Sequence, residues 1–241
     1  MEYQNPLPLL KEYHFYPKKE LGQNFLIDSH ILSRIVDLAG VTEDLTVLEI
    51  GAGLGSLTFF LAQKARQVIS VEVDRDLFPI LQQMLRGFSN VTLLHADILT
   101  LDMHSLALPN EYIIVANIPY YITSAILRKL LSAEVKPAHM LLTVQEEVAR
   151  RICAPAGQLS LLALSVQVFG RAEMVMKIPA GAFFPPPEVD SMTLRLHLFA
   201  HPLVPQEHLD AFFKLTKAGF SQKRKCCAML FPLLFTYPLR R

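Results

Sequence analysis

The sequence predicts an α/β fold: a mostly parallel, seven-stranded sheet with helices on both faces. Three observations carry the prediction. Short β-branched runs recur seven times, and most are separated by segments whose apolar residues fall at three- and four-residue spacing. A glycine loop, Glu72, Asp97 and Asn117 sit in order at or just past the ends of successive runs, where parallel sheets bind their ligands. Hydrophobic residues make up 51% of the 241 and charged residues 19%, enough apolar surface for a large core and too much for wholesale disorder.

The elements follow in chain order. Residues 1–20 are mixed in character and contain proline, and read as an irregular arm. Ile31, Leu32, Ile35, Val36 and Leu38 repeat at helical spacing after a cap at Asp28 or Ser29. Thr46 to Ile50 is a strand that stops at Gly51, and Leu57, Phe60 and Leu61 begin the next helix. Val68 to Val73 is a strand, 76–86 a helix, Val91 to Leu94 and Tyr112 to Ala116 two further strands. A helix over 122–132, a strand over 139–144 and a mostly helical stretch over 145–168 come next. Strands over 172–178 and 191–198 flank the proline-rich loop 179–187, and Leu209, Phe212, Phe213 and Leu215 mark an amphipathic helix over 205–218.

The formal net charge of +1 hides an asymmetry. Residues 1–200 hold 16 basic and 20 acidic side chains, whereas 201–241 hold 7 basic and 2 acidic ones. The neutral total argues against a protein that coats nucleic acid indiscriminately, but a basic end on an acidic body suits a polyanionic partner. No apolar run approaches the roughly 18 residues needed to cross a bilayer, and the N-terminus does not read as a signal peptide. Three cysteines, two of them the adjacent Cys226 and Cys227, suit neither a disulfide framework nor a zinc site; a reducing cytoplasm is the expected location.

Gly51-Ala52-Gly53-Leu54-Gly55 joins a strand to a helix, and glycine there lets the backbone turn tightly and approach a ligand. Alone, such a turn serves dinucleotides, flavins and S-adenosylmethionine alike, or is merely structural. Glu72, 21 residues after Gly51, is placed to accept hydrogen bonds from ribose hydroxyls, and Asp97 to meet an adenine amino group. Gly-x-Gly-x-Gly in place of Gly-x-Gly-x-x-Gly favours S-adenosylmethionine over a dinucleotide. Asn117-Ile118-Pro119-Tyr120 follows the fourth strand. An exocyclic adenine amine is a poor nucleophile because its lone pair is delocalised into the ring. Acceptors on both amine hydrogens favour a pyramidal nitrogen; the Asn117 side-chain oxygen and the Ile118 carbonyl, which precedes the imino Pro119, supply them. The Tyr120 ring can stack on the base. Catalysis of this kind is positioning and electrostatics and asks for no metal.

From about Lys18 to Lys225 the chain resembles the ribosomal RNA adenine N6-dimethyltransferases that modify the small subunit. The segments that carry the resemblance are Leu21 to Leu26, Gly51 to Gly55, Asn117 to Ser124, Val144 to Arg151 and Phe183 to Ser191. It implies a Rossmann-like S-adenosylmethionine-dependent methyltransferase domain over 1–200. It also implies cofactor contacts from Asn24, Leu26, Gly51, Gly53, Glu72, Asp97, Ile98 and Asn117, and a target adenine flipped between Tyr120 and Phe183. The implied reaction is dimethylation of two adjacent adenosines in a hairpin near the 3′ end of 16S rRNA. The implied partner is the small (30S) subunit, approached by a monomer without a membrane. Lys18, Lys19, Arg150, Arg151, Lys223, Arg224 and Lys225 are the candidate phosphate contacts.

The chain departs from that family in two places. The turn Pro155 to Gln158 lacks the common Tyr-Gly before Leu159-Ser160. After Lys225 the family continues with Leu-Arg-Asn-x-Leu and further helices, whereas this chain reads Cys-Cys-Ala-Met-Leu-Phe-Pro and stops at Arg241. Codons for that heptapeptide, read one base earlier, permit Leu-Arg-Asn-Ala-Leu-Ser. The expectation is a frame change after Lys225 and a truncated helical RNA-binding segment over 201–241. The rivals are the related 23S rRNA adenine methyltransferases of the antibiotic-resistance type, a DNA adenine methyltransferase, and a catalytically weak ribosome-assembly protein. The residues flanking Asn117 to Tyr120 favour the small-subunit enzyme, and the intact glycine loop argues against loss of catalysis.

Overall fold

The computed structural model describes residues 2–221; Lys223, Arg224, Lys225 and the segment 226–241 expected to be out of frame lie outside the described residues. The elements are α1 (Leu7–Glu12), β1 (Phe25–Leu26), α2 (Ser29–Leu38), β2 (Thr46–Ile50), α3 (Ser56–Ala62), β3 (Gln67–Glu72), α4 (Phe78–Met84), β4 (Val91–His95), β5 (Tyr112–Asn117), α5 (Thr123–Ser132), β6 (His139–Gln145), α6 (Glu146–Ile152), α7 (Leu161–Gln167), β7 (Gly170–Ile178), β8 (Phe183–Phe184), β9 (Ser191–Leu198) and α8 (Leu209–Ser221). Seven strands form one sheet in the order β4-β3-β2-β5-β6-β9-β7. β9 runs antiparallel to both of its neighbours, and the pairings from β4 through β6 are parallel. The expected α/β class and mostly parallel seven-stranded sheet are both present.

Side chains of the central strands alternate between the two faces. Leu48, Ile69, Ile114 and Leu142 point to the layer with α5, α6 and α7, while Val47, Val68, Ile113 and Leu141 point to α2 and α3. Burial on both faces is what makes these strands read as near-continuous apolar runs. Asp28 caps α2 as expected, its carboxylate accepting from the amides of His30 and Ile31 at 3.0 Å each. A third apolar cluster joins Leu10, Phe15 and Phe25 to Leu54, Phe59, Leu77, Ile80 and Leu81.

That cluster corrects the reading of residues 1–20. The arm contains α1 and folds against α3 and α4, held by Leu10, Phe15 and a Tyr3 hydroxyl that reaches Ser56 Oγ at 3.1 Å. β1 and β8, two residues each, pair antiparallel in a separate small sheet. The expected helix over 76–86 begins as a 3-10 turn at Arg75–Leu77 and continues as α4. Stacking of Phe169 on Phe213, with ring centroids 6.2 Å apart, holds α8 to the main body. Among the described residues no helix is long and apolar enough to cross a membrane.

Candidate active site

The strand order reverses between β2 and β5: from β2 the chain builds outward through β3 and β4, and from β5 the sheet extends through β6. A crevice opens at the carboxyl ends of the strands at such a point. Ile50 and Ala116 are paired neighbours, so Gly51 and Asn117 leave the sheet side by side. A Cβ on Gly51 would lie 3.5 Å from the Asn117 carbonyl oxygen, and Gly51 has φ +79°, a left-handed conformation that favours glycine. The cleft is lined by Leu21–Phe25, Ile50, Gly51, Gly53, Glu72, Val73, Asp97, Ile98 and Asn117–Ile122 among others.

Glu72 ends β3 beside the glycine loop. Its Oε2 accepts from the Gly53 amide at 2.8 Å and its Oε1 from the Asp74 amide at 2.9 Å. Burial pushes this carboxyl above its usual range, and the two amides pull it back. Each oxygen keeps a second acceptor position for a ligand hydroxyl. Asp97 follows β4, is exposed, and accepts from the Leu99 amide at 2.9 Å. Ile98 is buried beside it. Leu26 is buried and lines a smaller adjoining cavity with Gly51, Gly53 and Asn117. The residues expected at the cofactor therefore lie in one continuous region.

Asn117 is oriented by its nitrogen. Its Nδ2 donates to the Asn24 carbonyl oxygen at 3.3 Å, which leaves Oδ1 as the free acceptor of the amide. Ile118 donates its amide to the Thr143 carbonyl on β6 at 3.1 Å, fixing the backbone from the other side. The Tyr120 hydroxyl lies 2.6 Å from Ser191 Oγ at the start of β9. Burial raises the Tyr120 phenol above its usual range, while the Ser191 bond lowers it, so the ring stays neutral at physiological pH. No local signal marks Ser191 in the sequence, because its partner is 71 residues away.

Two candidates stand differently from the rest. Phe183 is 3% exposed, sits opposite Leu26 in the β1–β8 pair, and belongs to the apolar layer with Ile178 and Ala182. It is outside the lining of the cleft, so a stacking role requires its face to come out of that layer. Lys18, expected among the phosphate contacts, donates instead to Asp74 and Asp76, each at 2.7 Å. Those two bonds raise its pKa to about 12. Arg150 is paired with Glu146 on its own helix, whereas Lys19 and Arg151 are exposed. Sequence reasoning missed Gln23, which donates to Asp74 Oδ2 at 2.7 Å, and Glu49, enclosed in β2. Glu49 Oε2 accepts from Thr58 Oγ1 at 2.6 Å and Ser70 Oγ at 2.5 Å, and burial pushes its carboxyl up to about 8 against those two bonds.

The family model for ribosomal RNA adenine dimethylase matches residues 15–231. Ribosomal RNA small subunit methyltransferase A from Geobacillus thermodenitrificans is 42% identical over 224 residues, covering 90% of this chain and 76% of that protein. The protein of the same name from Dehalococcoides mccartyi is 42% identical over 218 residues, covering 90% and 75%. Among solved structures, the 23S rRNA methyltransferase ErmE superposes with a TM-score of 0.71 at 34% identity, covering 90% of this chain and 86% of that one. A dimethyladenosine transferase from Plasmodium falciparum gives 0.70 at 29% identity, covering 83% and 72%.

Proposed function

This chain belongs to the ribosomal RNA adenine dimethylase family, and from that premise we propose that it dimethylates N6 of two adjacent adenosines near the 3′ end of 16S rRNA in the small ribosomal subunit. It is an S-adenosylmethionine-dependent methyltransferase. The observation that carries the reading is the tethered Asn117: its nitrogen is held by Asn24, its oxygen is left for a ligand, and it stands beside Gly51 where the strand order reverses.

The residues present fit the cofactor. Gly51 and Gly53, at φ +79° and +56°, provide a close backbone approach. Glu72 would accept from the ribose hydroxyls, Asp97 with Ile98 would meet the adenine, and Asn24 and Leu26 would complete the cofactor contacts. When bound, S-adenosylmethionine supplies an electrophilic methyl group. The chain's own residues do the rest. Asn117 Oδ1 and the Ile118 carbonyl accept the two amine hydrogens of the target base and so free its lone pair. The Tyr120 ring, anchored through Ser191, stacks on one face of the flipped adenine, at about 1–3 kcal/mol per base. Phe183 is assigned to the second face, which requires its ring to turn out of the apolar layer that encloses it. These groups act by orientation, and no metal enters the assignment. Lys19, Arg150, Arg151, Lys223, Arg224 and Lys225 are assigned to RNA phosphates. The protein acts as a monomer in the cytoplasm.

The likeness to ErmE supports testing large-subunit RNA alongside. Purified protein is incubated with labelled S-adenosylmethionine and either undermethylated 30S or 50S particles, and the methyl groups are located by mass spectrometry. N6,N6-dimethyladenosine near the 16S 3′ end is the expected result. Label confined to 23S rRNA would move the protein to the rival class, and cofactor binding without transfer to any RNA would make it a non-enzymatic relative.

A further inference from the structure

Residues 18–25 lead into the Leu21–Phe25 wall of the cleft and are fastened at both ends. At the cofactor end the fastening is a closed ring of polar contacts. Lys18 Nζ bridges Asp74 and Asp76 at 2.7 Å each. Gln23 Nε2 donates to the other Asp74 oxygen at 2.7 Å, and Gln23 Oε1 accepts from the Lys18 amide, also at 2.7 Å. The Lys18 ammonium also lies 5.8 Å over the Phe15 ring, within cation–π range. Asp74 in turn donates its amide to Glu72, the same carboxylate that holds the Gly53 amide. At the base end Asn24 accepts from Asn117, and a Cβ on Gly22 would lie 3.1 Å from the Tyr121 ring. Between these ends, Leu21 to Phe25 form one wall of the cleft.

We propose that residues 18–25 are a latched strap over the cofactor cleft, that Lys18 is its latch as a positioning residue, and that release of this latch sets the exchange of the methyl donor and its spent product. The proposal rests on the cofactor assignment above. An exposed ion pair would contribute little, but the Asp74 side chain is only 3% exposed and that of Lys18 30%. The pair is thus partly shielded, while the Asp76 arm, 70% exposed, stays open to salt. The strap also touches both halves of the cleft, so its closure pulls Glu72 and Asn117 into register together. While both aspartates are held, Lys18 has only its third ammonium hydrogen left for a phosphate.

The test uses the full chain and two readouts. Hydrogen exchange is followed in the ligand-free protein, and release of S-adenosylhomocysteine is timed by competition in a stopped-flow instrument. Lys18→Met is expected to speed release about tenfold, the scale of one charge-assisted hydrogen bond lost. It should also speed exchange at residues 19–26, with Thr46 to Ile50 as protected as before. Lys18→Arg should restore both, and added salt should speed release from the native protein much more than from Lys18→Met. Unchanged release and exchange in Lys18→Met would overturn the strap. So would a raised KM for RNA with unchanged release, which would return Lys18 to the phosphate surface. A native protein that binds no S-adenosylhomocysteine would overturn the cofactor assignment, and the exchange readout would still judge the latch.

Discussion

The two halves of the cleft are built by different physics. The half assigned to the cofactor is assembled from backbone and carboxylates: left-handed glycines, Glu72 gripping two amides, and Asp74 tied to Lys18 and Gln23. Its polar groups are nearly all engaged before any ligand arrives. The half assigned to the target base is assembled from aromatic surface and a few tethers: Asn117 held by one bond to Asn24, Tyr120 held by one bond to Ser191, and Tyr121 59% exposed. A small ligand with fixed hydroxyls can be met by a prebuilt polar cradle. A base that must be pulled from an RNA stack is better met by open faces that replace lost stacking. The division predicts that damage to the cofactor half appears mainly in KM for the methyl donor, and damage to the base half mainly in kcat.

The largest effect is expected at Asn117. Asn117→Ala removes the free Oδ1 acceptor and should lower transfer by about 10²–10³-fold, the loss typical of one preorganised catalytic hydrogen-bonding group. Binding of S-adenosylhomocysteine, measured by calorimetry, should stay within a few-fold of native. Unchanged turnover would remove Asn117 from the mechanism. Next comes Gly53→Ala. The residue has φ +56°, and an added Cβ would lie 3.0 Å from the Phe25 ring. Left-handed backbone costs a non-glycine residue about 1–2 kcal/mol, so KM for the donor should rise about tenfold while kcat at saturation is largely kept. A kcat loss as deep as that of Asn117→Ala would break the division between halves. Tyr120→Phe keeps the ring and loses only the Ser191 tether, an interaction of about 1 kcal/mol. A several-fold fall in kcat is expected, with Ser191→Ala giving the same fall and the double variant no further one.

How much of this was legible in the sequence follows from the range of each interaction. The seven strands, the Gly51–Gly55 turn and the Asn117–Tyr120 segment are local patterns, and reading them needs only neighbouring residues. Glu72 and Asp97 were reachable because a parallel sheet puts successive strand ends on one edge. The pairing of β1 with β8 was not legible: two residues carry no periodicity, and Phe25 meets Phe184 only in the folded chain. The same holds for Lys18, whose partners lie 56 and 58 residues away. An exposed-looking lysine next to another lysine reads as a phosphate contact until the aspartates that neutralise it are located. Phe183 shows the reverse limit, since its place in a motif says nothing of the apolar layer that encloses it.

Glu49 is expected to matter least to turnover, and it separates the cleft from the sheet beneath it. Its carboxyl is fully enclosed in β2, two residues before Gly51, and is pushed up to about 8 by burial. At neutral pH it is therefore protonated in the folded protein, while the unfolded chain ionises it above about 4.5. Between these values the folded state binds the extra proton, so this group's contribution to stability falls as pH rises from about 4.5 to 8 and levels off beyond. Asp74 works in the opposite window. Burial pushes it up, but the bonds from Lys18 and Gln23 outweigh that and hold it below 3.8, so its contribution is kept at neutral pH and lost only on acidification below that value. Glu49→Gln keeps an acceptor for the Thr58 and Ser70 hydroxyls and cannot ionise. Its turnover at pH 7 should stay within about twofold of native, the margin expected for a change that touches neither ligand. Its stability relative to native, from urea unfolding at a series of pH values, should climb between pH 5 and 8 by up to about 1.4 kcal/mol per pH unit, the limit for one proton. A flat difference across that range would mean that Glu49 is ionised in the fold, with a cation or water reaching it through the sheet.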